Sequence, residues 1–215
     1  MSLEERSTYH HGNLREALIK AAVELMGTHG LEKWSVREVA KQAGVSPAAP
    51  FRHFATRTDL LTAVAAQATR KLREAVEANL NRSEEQSALA RFAAIGHAYL
   101  HWAKTYPIHF RVISDRTLID YASSTAMQED NHWIRSQMAN LLGEAFGPST
   151  QANTPLAQMA ARALVYGLAR MNADGHFPEW SLATVDPNDS TTSVDHQTLD
   201  FFISLLESQA KQRVC

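Results

Sequence analysis

The chain has 215 residues, 45% hydrophobic and 20% charged, with a formal net charge of -2 and a pI near 6.5. That composition can bury a core in one or two globular domains, and it excludes a globally basic nucleic-acid coat, so any such affinity must come from a local patch. The single cysteine, Cys215, excludes an intrachain disulfide and Cys-rich zinc modules. A charged N-terminus and the lack of any run of about 18 apolar residues predict neither export nor membrane insertion, and a reducing cytoplasm fits best.

Strand signals are nearly absent, and apolar residues recur at intervals of three and four, which predicts an all-helical protein. Asn13 is placed to cap a first helix in which Leu14, Leu18, Ala21, Ala22 and Leu25 share a face, with Gly30 as its stop. Ser35 with Glu38 three residues on reads as a capping box opening a two-turn helix that Gly44 ends. A second short helix is expected from Ser46. Its two prolines fit if Ser46 is the cap, because Pro47 then takes the first helical position, where no N–H is needed, and Pro50 the fourth.

A longer helix is predicted from Thr56 to about Asn81, another from about Ser83 to Tyr106, where Pro107 interrupts, and further helices over 107–116, 117–146, 154–174 and 194–212. Gly147-Pro148 and the stretch from 186 to 193 carry turn chemistry.

Two short helices joined at Gly44 form a helix-turn-helix. The segment Tyr9 to about Leu61, and above all its portion AGVSPAAPFRHFATRTDLL, resembles the DNA-binding domain of the TetR family of bacterial transcriptional regulators. The opening YHHGNL, with WAKTYPIHFRVI and ALVYGLARMNADGHF further on, is similar to the branch whose C-terminal body is called the WHG domain. The resemblance implies an all-α fold, with a three-helix DNA-binding domain over 1–58 and a helical ligand-binding and dimerisation domain over 59–215. It also implies a homodimer that binds a palindromic operator on double-stranded DNA, acts as a repressor and is released by a small-molecule effector.

By that resemblance Ser46, Pro47, Ala48 and Ala49 start the recognition helix, where small side chains allow close approach to the major groove. Arg52 is the long donor that can reach a base edge or a phosphate, and His53 matches the family's phosphate-contacting histidine. Phe51 stands where the family commonly has a phosphate-bonded tyrosine, so that one hydroxyl contact is missing. Ser35, Thr56 and Arg57 lie at helix N-termini that favour phosphates. Arg37 and Lys41 add positive potential. Each of these also has an ordinary role as a cap or surface charge.

In the body, the amphipathic aromatics Trp102, Tyr106, Phe110, Trp133 and Tyr166 are the expected effector-cavity residues, against an ordinary core role. His97 and His101 have metal-ligand spacing but fall off the apolar stripe of their helix, beside Lys104, so a polar face is expected and neither metal nor cofactor. The last helix carries Leu199, Phe202, Ile203 and Leu206 on one face and Phe201 and Leu205 nearly opposite. With the small residues Ala160, Ala163 and Gly167 on the preceding helix, this predicts a dimer interface formed as a four-helix bundle.

No GxGxxG leading a βαβ unit, GxxxxGK[ST], HExxH or CxxC occurs, so no enzymatic activity is expected, although a dispersed catalytic set leaves no such signature. A helical small-molecule-binding or interaction protein without operator binding stands as the alternative.

Overall fold

The computed structural model describes residues 11–84, 86–147, 154–180 and 193–212, and all regular structure among them is helical. In chain order the helices are α1 (His11–His29), α2 (Val36–Gln42), α3 (Arg57–Arg82), α4 (Ala88–Thr105), α5 (Pro107–Ser114), α6 (Thr125–Phe146), α7 (Thr154–Asp174) and α8 (Val194–Gln212). Short 3₁₀ turns occupy Pro50–Arg52 and Phe177–Trp180. Cys215, Pro148 and the 186–192 turn lie outside the described residues. None of the helices is long and apolar enough to cross a membrane.

The chain packs as two compact units: the described residues up to Ala68 together with Ile108–Gln128, and Thr69–Pro107 together with the described residues from Glu129 onward. The first unit is built on α1. Helix α1 begins at His11, so Asn13 lies within the helix rather than at its cap, and its side chain falls outside the described residues. Leu18, Ile19, Ala22 and Met26 are buried against Val39, Phe54, Leu61, Val64, Val112 and Met127. Gly30 ends α1 at a φ of 88°, its N–H reaching the Met26 carbonyl at 3.0 Å. A polar chain also ties this unit together. His109 Nε2–H donates to Gln67 Oε1 at 2.9 Å, and the Gln67 amide donates to Glu16 at 3.3 Å.

Residues 117–124 do not join α6 as the periodicity predicts. Asp115 Oδ1 accepts from both the amide and the hydroxyl of Thr117, Asp120 Oδ1 accepts from the Ser123 amide, and Ser124 Oγ accepts from the Met127 amide. Short polar side chains have taken the backbone donors that a helical turn would use, and Ser124 caps α6 instead. Helix α4 likewise starts later than Ser83, because Ser87 is its cap, accepting from the Ala90 amide.

In the second unit, α4 lies against α7 and α8. Gly96 lies close against α8: a Cβ there would stand 2.7 Å from Leu199 Cδ2. Beside it, His97 joins α4 to α8 through both ring nitrogens. The tautomer that satisfies both bonds has His97 Nε2–H donating to Asp200 Oδ1 and His196 Nδ1–H donating to His97 Nδ1, each at 2.8 Å. Burial pushes the His196 pKa below its usual value. Asp195 and Asp200 oppose that shift, and His97 and Lys104 add to it.

A histidine held neutral in the fold protonates sooner when unfolded, so its contribution to stability is present above the unfolded pKa of about 6.5 and is lost as pH falls below it. The thermal midpoint is therefore expected to drop from pH 7.5 to pH 5.5, and to drop less in His196→Gln. Equal slopes for the two proteins would remove His196 as the cause.

Candidate functional site

The first unit presents a surface made from α2, the turn after it and the start of α3. Ser35 caps α2 in a full capping box, with Ser35 Oγ accepting from the Glu38 amide while Glu38 Oε2 accepts from the Ser35 amide at 2.7 Å and hydroxyl at 2.8 Å. These bonds hold the Glu38 carboxyl below its usual pKa, the Ser35 side-chain bond contributing most. The Ser35 donors are thus already matched by a carboxylate.

Helix α2 ends in a Schellman motif: Gly44 sits at a φ of 70°, with Gly44 N–H to Lys41 O at 3.1 Å and Val45 N–H to Ala40 O at 3.0 Å. That left-handed position needs glycine because a Cβ would crowd the following carbonyl.

The expected α-helix from Ser46 is absent. Residues 47–49 form a turn closed by Ala49 N–H to Ser46 O at 3.0 Å, and a 3₁₀ turn follows over Pro50–Arg52. Pro50 explains the break. It has no N–H to give the Ser46 carbonyl, its ring crowds that oxygen in an α-helix, and Ala49 takes the acceptor instead. Pro50 becomes the first residue of a new turn, its own carbonyl accepting from His53 and Phe54 at 2.9 Å. Phe54, 1% exposed, anchors the turn in the core.

The outcome is an exposed tip. Ser46, Pro47, Ala48, Phe51 and Arg52 are exposed, Ala49 and His53 half-buried. Phe51 retains 53% of its surface. The Arg52 and His53 side chains make no hydrogen bond or ion pair among the described residues, and the same is true of the exposed Arg37 and Lys41 side chains on α2. Four groups able to meet phosphate or base edges therefore lie close together in the sequence, between Arg37 and His53.

Two other candidates are engaged internally. Thr56 caps α3, its hydroxyl accepting from the Asp59 amide at 3.0 Å and its amide donating to Asp59 at 2.9 Å. Arg57 stacks over Trp34 at 4.4 Å and donates to the Leu31 carbonyl at 2.5 Å. Arg57 clamps the loop between α1 and α2, a role that its sequence position at a helix start did not signal.

The second unit contains a partly open cavity between α3, α4, α6 and α7, with apolar walls from Val76, Phe92, Ile134 and Met138 and polar groups from Tyr99 and Arg162. None of the five aromatics singled out from sequence lines it. Trp102 is buried at 1% exposure, and Tyr106, Trp133 and Tyr166 are half-buried. Lys71 stands over Tyr106 and Arg73 over Trp133. Phe110 belongs to the first unit. Tyr99 shares the apolar stripe of α4 with Trp102 and Tyr106, and only the fold brings Arg162, 63 positions later, over its ring at 5.3 Å.

Large apolar side chains stand exposed on α7 and α8. Leu156 is 69% exposed, Met159 67%, Phe201 65% and Leu205 48%. Ala160 and Ala163 are exposed between them, and a Cβ on Gly167 would meet nothing within 4 Å. Leu199, Ile203 and Leu206 are buried on the other face of α8, so its two apolar faces separate as the helical wheel predicts. Leu156 and Met159 extend the small-residue stripe by one turn, a continuation visible in the sequence at the same three-and-four spacing.

Residues 18–64 match the family model described as bacterial regulatory proteins, tetR family, and residues 92–208 match the tetracyclin repressor-like C-terminal domain. A structure of a protein of unknown function from Rhodococcus sp. RHA1 is 27% identical, with a TM-score of 0.69 over 92% of this chain and 97% of that one. PfmR, a TetR family transcriptional regulator from Thermus thermophilus, shares the fold at 15% identity, with a TM-score of 0.62 over 89% of this chain and 97% of its own. The nucleoid occlusion factor SlmA of Vibrio campbellii (strain ATCC BAA-1116) is 27% identical over 110 residues, 50% of this chain and 54% of that protein. The chain thus spans about half the length of that curated relative.

Proposed function

The chain belongs to the TetR family of bacterial DNA-binding transcriptional regulators, and we propose that it acts as a cytoplasmic repressor, a homodimer binding a palindromic operator and released by a small molecule. The observation that carries this reading is the exposed tip, where the Arg52 and His53 side chains make no hydrogen bond or ion pair among the described residues, beside Pro47, Ala48 and Phe51. In this reading residues 1–58 form the DNA-binding domain and 59–215 the ligand-binding and dimerisation domain. Ser46, Pro47, Ala48 and Ala49 approach the groove floor, Arg52 meets a base edge or phosphate, and His53 meets a phosphate. Phe51 offers apolar surface only. The Ser35 and Thr56 boxes and the Arg57 clamp hold the tip in place, and the α2 and α3 N-terminal amides face phosphate from there.

The apolar stripe of α7 and α8, with Ala160, Ala163, Gly167, Phe201 and Leu205, pairs with its copy across a twofold axis, setting half-sites about one DNA turn apart. The effector occupies the second unit. Tyr99 and Arg162 are the polar handles of its cavity, with Trp102, Tyr106, Trp133 and Tyr166 supporting the walls. Release requires that the effector bind the DNA-incompetent conformation more tightly than the competent one, since only a difference in affinity shifts the balance.

The test is fluorescence anisotropy on duplex DNA across a salt series. If Arg37, Lys41 and Arg52 of both protomers neutralise phosphates, log K should fall against log salt with a slope of about -5. Folded protein that shows no binding at low salt would favour the alternative, a helical binding protein that does not bind operators.

A further inference from the structure

We infer that the narrow cavity of the second unit takes a medium-chain alkyl carboxylate, its tail between α4, α6 and α7 and its carboxylate on Arg162 and Tyr99. This rests on the reading of that unit as the ligand-binding part of the protein, and it adds the chemical class of the ligand.

Three features lead to it. The walls are apolar and the polar groups are two, a guanidinium and a phenol. Such a lining selects a ligand with one polar end. The cavity volume is about 30 Å³, so the slot is narrow and an entering chain must push wall side chains aside. An unbranched chain fits such a slot better than fused rings, and Met138 in the wall is the side chain best able to yield to it.

The sign of the head group follows from Arg162. Its guanidinium lies over the Tyr99 ring at 5.3 Å, and it has no carboxylate partner among the described residues. Arg162 is exposed at the cavity rim, whereas Tyr99 is 5% exposed. Burial pushes the Tyr99 phenol up to about 12, with the Arg162 charge opposing and Tyr166 adding to the shift, so the phenol is a neutral O–H donor at any physiological pH. A carboxylate can accept from both groups, and Arg presents a planar fork suited to it. An alcohol leaves the guanidinium unmatched, and an ammonium is repelled.

The experiment is calorimetric titration of the full-length protein with sodium octanoate, octan-1-ol and octylamine, with thermal unfolding measured alongside. Octanoate is expected to bind saturably and raise the unfolding midpoint, octanol to bind at least about 10-fold more weakly, and octylamine not to bind. Arg162→Gln should bring octanoate and octanol within about threefold of each other, and Arg162→Lys, which keeps the charge but loses the fork, should fall between. Both variants alter an exposed side chain, so folding is preserved.

Octanol binding as tightly as octanoate, no octanoate binding at millimolar concentration, or an undiminished preference in Arg162→Gln would each overturn the inference. Selective octanoate binding that leaves DNA affinity unchanged would support the site and count against the effector role. DNA binding without octanoate binding would overturn the site alone.

Discussion

Replacing both Phe201 and Leu205 with glutamate is expected to convert the protein to a monomer at micromolar concentration and to weaken operator binding by about 100-fold or more. The two side chains are 65% and 48% exposed on the outer face of α8. Burying what remains of these two side chains in a dimer contributes roughly 5 kcal/mol per protomer at about 25 cal/mol per Å². The four carboxylates that replace them would also be desolvated beside one another, which adds further cost. Because Leu199, Ile203 and Leu206 hold the inner face of α8 in the core, the variant should unfold at nearly the wild-type temperature after allowance for the lost dimer. Light scattering that still reports a dimer would place the twofold interface elsewhere.

The second large effect is at the tip. Arg52→Ala combined with His53→Ala removes two groups that make no internal hydrogen bond or ion pair among the described residues, so stability should change by less than about 0.5 kcal/mol. DNA affinity should change far more. A lost base contact costs about 1 to 3 kcal/mol and is repeated in each half-site, so a dimer loses roughly 10² to 10⁴ in affinity. The single variants separate the roles. If Arg52 reads a base, Arg52→Ala relaxes preference at one position of each half-site, whereas His53→Ala on a phosphate weakens all sequences alike.

Much of this architecture was legible in the sequence, and the reasons differ from element to element. The spans of α7 and α8 could be read to the residue, Thr154–Asp174 and Val194–Gln212, because apolar periodicity and turn residues agree there. The capping box at Ser35 was legible because its two partners lie three positions apart. The helix from Ser46 was not. Treating Pro50 as a fourth helical residue counted the missing hydrogen bond but underweighted the competition for the Ser46 carbonyl, which Ala49 wins.

Long-range partners were the least legible. The His97 bonds to His196 and Asp200 span about a hundred positions, and the Arg162–Tyr99 pair exists only once α4 and α7 are placed. The helical wheel located His97 off the apolar stripe without showing what it would meet there. Arg57 illustrates the same limit at short range, since a cation at a helix start suggests phosphate until Trp34 is seen beneath it.

The most direct test of the central claim is selection of bound sequences from randomised duplex DNA, carried out in parallel with wild-type protein and the Arg52→Ala, His53→Ala variant. The account expects wild type to enrich a palindrome with half-sites about one turn apart and the variant to enrich none. Folded, dimeric wild-type protein that enriches nothing at low salt, or a variant that recovers the same palindrome with equal strength, would contradict it.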